Sequence, residues 1–160
     1  MGSDGQVTFG ATVMKQSAKK VRSAYQGTVL LGFAGGGADA LSLFERLDEK
    51  LDQHHGDLYK AVVALARDWR TDRALRRLDA MLAAVDAKNS FIISGSGDLI
   101  LPDDGIIAIG SGGHIALAAA RALVKHSTLT ASQIVKESLS ITSEIWIYTN
   151  DHITVEKIKT

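Results

Sequence analysis

The stretch TVLLGFAGGGADALSLFERLDEKL, residues 28–51, contains the change of pattern that decides the fold. Residues 28–34 form a short, continuous apolar run, which predicts a buried strand. Gly35, Gly36 and Gly37 interrupt this run. Beyond them, apolar residues recur at steps of three and four, which predicts a helix with an inward face of Leu41, Phe44, Leu47 and Leu51. The sequence therefore predicts a buried strand that leads through a glycine turn into a helix.

A second helix is predicted after residues 54–57, because helical spacing of apolar residues resumes there. The residues on its inward face are Leu58, Val62, Leu65 and Trp69, with Leu75, Leu78 and Leu82 as a possible continuation. Further helices are predicted over residues 114–125 and after Thr130, which has the capping-box spacing to Gln133. The other predicted strands are residues 6–9, 90–94, 98–101, 106–109, 145–149 and 153–158. The second and third of these are joined by a glycine-rich turn that suits a hairpin.

The order of these elements predicts the fold class. Strands, two helices, strands, two helices and a final strand do not alternate as strictly as they would in a doubly wound parallel sheet. They fit an α+β fold better, with two sheets between two helix pairs in a four-layer αββα sandwich. The chain has one proline, no long linker and no internal repeat, so we predict a single domain over residues 1–160.

Composition excludes several classes of function. Eighteen basic residues balance eighteen acidic residues, so no net charge attracts nucleic acid or an anionic membrane, and we expect neither as a partner. The chain has no cysteine, which excludes disulfides, thiolate metal sites and a cysteine nucleophile. No apolar run approaches the length of a membrane span, and the first residues do not have the pattern of a secretion signal. We therefore expect a cytoplasmic protein.

The glycine clusters and the histidines suggest two further functions, phosphate binding and metal binding, and the sequence disfavours both. The glycine clusters at residues 35–37 and 110–113 could cradle a phosphate ahead of a helix. The phosphate-binding pattern requires Gly-Lys-Ser/Thr, and Ala38 and Asp39 follow the first cluster instead, which disfavours phosphate binding. The only neighbouring histidines, His54 and His55, are adjacent and would point to different faces of a helix, so we expect no metal site there.

Six strings in a fixed order carry a resemblance to a known family: DGQVTFG with VMK (residues 4–15), KKVR (19–22), GFAGGGADA (32–40), DWRTDRALR (68–76), IAIGSGG (107–113) and IYTN (147–150). By these strings the chain resembles the HslV (ClpQ) family of peptidase subunits in bacterial ATP-dependent proteases. That family is proteasome β-like and has the four-layer fold of the N-terminal nucleophile hydrolases. The resemblance extends from Asp4 to Ile158, which is nearly the whole chain.

The resemblance implies a threonine-type endopeptidase. In the family, the hydroxyl of an N-terminal threonine attacks the peptide carbonyl, and the threonine's own amino group acts as the base. Carried over position by position, Asp4 matches the carboxylate and Lys20 the lysine near that amine. Ser111 matches the serine that supports the amino group, and Gly35 matches the glycine whose backbone N–H contacts the oxyanion. Without the resemblance, Asp4 and Lys20 would be interpreted as solvated surface charges.

The resemblance also implies a cation site and partners. The family can hold Na⁺ or Mg²⁺ on backbone carbonyls, and the matching positions are Ser143, Trp146 and Thr149. Peptide hydrolysis itself needs no cofactor, and ATP is used by the partner. The implied partners are other copies of the chain, in a dodecamer of two stacked hexameric rings, the AAA+ ATPase HslU, and unfolded protein substrates.

The start of the sequence matches the interior of the family pattern. The first strand, with the threonine, and most of the second strand are therefore expected to be missing, and no residue matches the nucleophile. We expect the chain as given to be inactive in peptide hydrolysis. The alternative function is a non-catalytic module that forms rings or binds the ATPase.

Overall fold

The computed structural model describes residues 1–73 and 80–159. The strands in these residues are β1 (Gly2–Ser3), β2 (Val7–Phe9), β3 (Thr12–Lys15), β4 (Val21–Ala24), β5 (Val29–Gly35), β6 (Ala80–Val85), β7 (Ser90–Ile93), β8 (Leu99–Ile100) and β9 (Thr154–Val155). The helices are α1 (Gly37–Gln53), α2 (Leu58–Thr71), α3 (Gly113–His126) and α4 (Ala131–Ile145), with a 3₁₀ turn at Tyr25–Gly27. In the part of the chain that the structure covers, no helix is long and apolar enough to cross a bilayer.

Five strands form one antiparallel sheet in the order β4-β5-β6-β7-β8. The predicted strand at residues 28–34 is confirmed as β5, and the predicted hairpin is confirmed as β7 and β8. The assignment of Leu82 to the second helix is wrong, because α2 ends at Thr71. Leu82 lies in β6, where it pairs with Phe33 of β5. Leu75 and Leu78 lie outside the described residues.

The hydrophobic core lies between one face of this sheet and the helices α1 and α2. Leu58, Val62, Leu65 and Trp69 are all buried, as the helical spacing predicts. On α1, Leu47 and Leu51 are buried and Phe44 packs against the core, while Leu41 is exposed and Leu43 takes the inward position instead. All the residues of this core cluster come from Ala24 to Ile93, and none of the described residues of α3 or α4 belongs to it.

The opposite face of the sheet carries the second pair of layers. The sulfur of Met1 lies 2.9 Å from where a side chain on Gly32 of β5 would begin. Met1 leads into β1, which pairs antiparallel with β9. A side chain on Gly2 would meet Val135 and Leu139 of α4, so α4 packs against this strand pair, and α3 packs on α4. The order from helices through two sheets to helices confirms the predicted α+β, four-layer fold.

Two predicted strands are absent among the described residues. Residues 106–109 form no ladder with another described strand, although each is partly buried. Residues 145–149 form the end of α4 and a turn, because the N–H of Trp146 donates to Thr142 O at 2.8 Å and that of Thr149 donates to Trp146 O at 3.1 Å. The capping box of Thr130 and Gln133 is confirmed at the start of α4.

Candidate active site

Asp4 and Lys20 form an ion pair at the junction between the two halves of the fold. Nζ of Lys20 donates to Oδ1 of Asp4 at 2.8 Å. The other carboxylate oxygen accepts the backbone N–H of Gln6 at 2.8 Å. The side chains are 12% exposed for Asp4 and 28% exposed for Lys20, so water screens the pair less than it screens a surface pair. The structure therefore brings together two of the four residues predicted for the site.

The loop that carries Asp4 is fixed from two other parts of the chain. Gly5 leaves no space for a side chain, because a Cβ there would overlap the carbonyl of Gln16. Its own carbonyl accepts the N–H of Ala18 at 2.9 Å. Oδ1 of Asn150 accepts the Gly5 N–H at 3.0 Å, and Nδ2 of Asn150 donates to Gln16 O at 2.9 Å. These contacts fix the position of the Asp4 carboxylate.

The strand β5 links the ion pair to the remaining predicted residues. Val21, which follows Lys20, pairs with Gly32 of β5, the residue that Met1 covers. The ion pair with Asp4 therefore joins the start of β4 to the segment that begins with Met1. Gly35 ends the same strand with φ +114°, a conformation that glycine adopts far more readily than other residues. Lys20 and Gly35 therefore both lie at the half of β5 that runs from Gly32 to Gly35.

Ser111 lies in the loop ahead of α3, and this loop approaches the same segment. A Cβ on Gly110 would lie 3.4 Å from Cβ of Ala34, next to Gly35. Oγ of Ser111 accepts the indole N–H of Trp146 at 2.9 Å. Among the described residues, no hydrogen bond joins Ser111 directly to Asp4 or Lys20. The four predicted residues therefore lie beside the second half of β5. Lys20 directly precedes the residue that pairs with Gly32, and Ser111 and Gly35 lie where the strand ends.

Sequence reasoning missed the two side chains that hold these groups. Asn150 and Trp146 contact residues 145 and 35 positions away in the chain, respectively. Asn150 is the last residue of the IYTN string. A side-chain amide can accept and donate at the same time, so Asn150 can hydrogen-bond to both Gly5 and Gln16. That chemistry was readable in the sequence, but the contact was not.

The amino group of Met1 is held by β9. It donates to the carbonyl of Glu156 at 2.9 Å, and the Met1 carbonyl accepts the Glu156 N–H at 2.8 Å. Burial lowers the pKa of this amine from its ordinary value, and the nearby Glu156 carboxylate partly opposes that change. The terminal amine of Met1 is therefore more easily kept neutral than an amine in water.

One of the three carbonyls predicted to bind a cation is already occupied by hydrogen bonds. The carbonyl of Trp146 accepts two hydrogen bonds from Thr149, one from its N–H at 3.1 Å and one from its hydroxyl at 2.8 Å. A carbonyl oxygen has two lone pairs, so a cation would have to displace one of these donors. Ser143 lies within α4, where its hydroxyl donates to Ser140 O at 2.7 Å.

A four-layer αββα fold, with an Asp–Lys pair beside a glycine-rich strand that ends in a strand-to-helix turn, defines the class of N-terminal nucleophile hydrolases. Residues 1–158 match the family described as "Proteasome subunit". The chain belongs to this family, and within it to the HslV-type subunits, the threonine-type peptidase components of ATP-dependent proteases.

Two relatives support this assignment. The chain is 59% identical over 158 residues to the ATP-dependent protease subunit HslV of Chlorobium luteolum, an alignment that covers 99% of this chain and 87% of the relative. The crystal structure of eukaryotic HslV from Trypanosoma brucei superposes with a TM-score of 0.91 at 45% identity. That match covers 97% of this chain and 90% of the solved one.

Proposed function

We propose that Asp4, Lys20, Ser111 and Gly35 support an N-terminal threonine nucleophile in peptide-bond hydrolysis. The observation that carries this proposal is the partly buried ion pair, in which Lys20 Nζ lies 2.8 Å from Asp4 Oδ1. A partly buried ammonium is costly unless an opposite charge lies beside it, and Asp4 supplies that charge. The ammonium of Lys20 favours the deprotonated forms of neighbouring groups, which is the state that a nucleophile and its base require.

In the proposed reaction, the threonine hydroxyl loses its proton to the threonine's own amine and attacks the substrate carbonyl. The amine then gives this proton to the leaving amine, so that a peptide bond breaks and an ester to the enzyme forms. Water hydrolyses the ester by the reverse sequence of proton transfers. The N–H of Gly35 stabilises the oxyanion, and Ser111 holds the amine in place.

The proposed assembly is a dodecamer of two stacked hexameric rings in the cytoplasm. Its ATPase partner is HslU, which consumes ATP and delivers unfolded proteins. The similarity to a subunit of an ATP-dependent protease in Chlorobium luteolum supports a partner that consumes ATP. The balanced charge of the chain, with eighteen residues of each sign, offers little repulsion between copies.

Cation binding by the carbonyls of Ser143, Trp146 and Thr149 stays a proposal. Na⁺ or Mg²⁺ would fit this set only if the Thr149 hydroxyl turned away from the Trp146 carbonyl. No step of the proposed reaction passes through the cation.

The test is a pair of polypeptides assayed on a fluorogenic peptide. One is residues 1–160, whose terminal amine belongs to Met1, and we expect it not to cleave. The other carries an upstream strand that begins Thr-Thr, exposed by removing a leader, and we expect it to cleave. A threonine-bearing form that assembles into rings but does not cleave would contradict the proposal and favour the non-catalytic assembly module.

A further inference from the structure

Trp146 makes a directed contact with Ser111 across the fold. The indole Nε1 donates to Oγ of Ser111 at 2.9 Å, although the two residues are 35 positions apart in the chain. Trp146 is the first residue after α4, and Ser111 lies in the loop just before α3. An indole nitrogen can only donate, so this contact takes one of the two lone pairs on the hydroxyl oxygen.

The indole is held in place from several directions. The ring of His114 meets it edge-on with centroids 6.0 Å apart, and the ring of Tyr148 does so at 5.9 Å. Gly112 lies against the same ring, since a Cβ at Gly112 would be 3.3 Å from Cδ1 of Trp146. Aromatic pairs in this geometry attract each other beyond simple burial. The N–H therefore points at Ser111 from a fixed ring.

The contrast with the other tryptophan argues against a role in packing alone. Trp69 is fully buried in the core, and its Nε1 has no acceptor among the described residues. Trp146 is partly exposed, so its N–H could have been hydrated. It is instead directed at the one side chain of this loop that carries a hydroxyl group.

We infer that Trp146 is a positioning residue that sets the direction of the Ser111 hydroxyl, an inference that rests on the proposed function. With one lone pair occupied by the indole, the Ser111 proton is free to donate to the threonine amine. A hydroxyl that accepts one hydrogen bond also becomes a stronger donor in the next. Trp146 thus acts on the base through Ser111 and does not itself touch the substrate.

The contact is tested first on the 160-residue chain by NMR of ¹⁵N-labelled tryptophan, which gives one indole signal for each tryptophan. Trp146→Phe removes one signal and so assigns the other to Trp69. We expect Ser111→Ala to shift the Trp146 signal and leave the Trp69 signal unchanged, and Tyr148→Phe to leave the N–H in the hydrogen-bonded range. A Trp146 signal that Ser111→Ala does not move would overturn the inference.

The role is tested by peptide hydrolysis with the threonine-bearing form. Trp146→Phe keeps an aromatic ring and removes the N–H, and we expect kcat to fall about tenfold with KM within about twofold. Ser111→Ala should lower kcat at least as much, and adding Trp146→Phe to it should cost little more. Tyr148→Phe is the control, with kcat expected within about twofold of the parent.

The outcomes separate the two claims. An inactive parent would overturn the proposed function and this inference together. An active parent whose kcat is unchanged by Trp146→Phe, or in which only KM changes, would overturn the inference and leave the proposed function standing. Melting temperatures of all variants identify any loss that comes from unfolding.

Discussion

Lys20 lies 2.8 Å from Asp4 and just ahead of Val21, the residue that pairs with Gly32 in the sheet. The sheet therefore holds the backbone next to the lysine, and the loop between β1 and β2 holds the backbone of Asp4. The lysine side chain loses rotamer freedom in the pair, but the two backbones are already held in place.

Breaking this pair should affect both stability and activity. Lys20→Met keeps the length of the side chain and leaves a partly buried carboxylate without its cation, so we expect the free energy of unfolding to fall by about 2 kcal/mol. In the threonine-bearing form we expect kcat/KM to fall by about a hundredfold or more. Urea denaturation and steady-state kinetics measure the two effects.

The neighbouring lysine supplies the control for this prediction. Lys19 is exposed and makes no ion pair among the described residues, so Lys19→Met should change neither quantity appreciably. Equal losses in the two variants would show that general charge, and not the contact with Asp4, is responsible.

Gly5→Ala should be strongly destabilising. The new methyl group would overlap the Gln16 carbonyl, which is backbone and cannot turn away, so we expect a loss of about 3 kcal/mol. Gly37→Ala is the matched control, because a Cβ there meets nothing within 4 Å and the site is the first residue of α1. That variant should be neutral or stabilised by up to about 1 kcal/mol. Thermal melts followed by circular dichroism compare the two, and similar melting temperatures would contradict the described packing of Gly5.

The capping box of α4 gives a third prediction. Oγ1 of Thr130 accepts the Gln133 N–H at 3.4 Å, and the Thr130 N–H donates to the Gln133 side chain at 2.9 Å. Thr130→Ala removes the first bond together with the hydrogen bond that the Thr130 hydroxyl donates to Oε1 of Gln133 at 2.8 Å. We expect the free energy of unfolding to fall by about 1 kcal/mol. Ser132→Ala, at the second residue of the helix, should change it by less than about 0.5 kcal/mol. A larger loss at Ser132 than at Thr130 in urea denaturation would be inconsistent with this cap.

The ion pair of Asp104 and Arg121 predicts a dependence on pH. The hydrogen bond from Arg121 holds the pKa of the Asp104 carboxyl below its usual value, with help from the N–H of Ile106. The folded pKa is lower than the unfolded one, so this stabilisation is complete above about pH 4 and disappears as the pH falls through the folded pKa. Asp104→Asn should therefore lower the urea midpoint at pH 7 and have little effect near pH 2.

The exposed aspartate Asp151, whose carboxylate makes no hydrogen bond among the described residues, is the control for this pH series. Asp151→Asn should leave the urea midpoint nearly unchanged at both pH values. If the cost of Asp104→Asn stayed constant across the pH range, protonation of this carboxyl would not be linked to folding.

The sequence predicted those parts of the fold that depend on local pattern. The predicted strand, glycine turn and helix around Gly35–Gly37 are confirmed as β5 and α1. A continuous apolar segment that ends in glycines is typical of a buried strand. The strand β6 was missed because its sequence AMLAAV is as compatible with a helix as with a strand. Residues 145–149 alternate like a strand, yet the backbone of α4 continues through Ile145.

The site was predictable only as far as the family pattern names residues. Asp4 and Lys20 were paired by resemblance, and the structure joins them directly. The support from Asn150 and Trp146 depends on how the turn after α4 packs against two distant loops. No spacing rule connects residues so far apart, since their approach is a product of the whole fold.

The placement of the core in one half of the molecule has a dynamic consequence. Every member of the main hydrophobic cluster belongs to the segment from Ala24 to Ile93, while the buried residues of α3 and α4 are small: Gly113, Ala116, Ala120, Ser138 and Thr142. Little apolar area resists opening of that helix pair in the isolated chain. Native-state hydrogen exchange should therefore be faster in α3 and α4 than in β5 or α2. Contact with a second subunit would slow this exchange. The ordering of Ser111 and Trp146 would then be coupled to assembly.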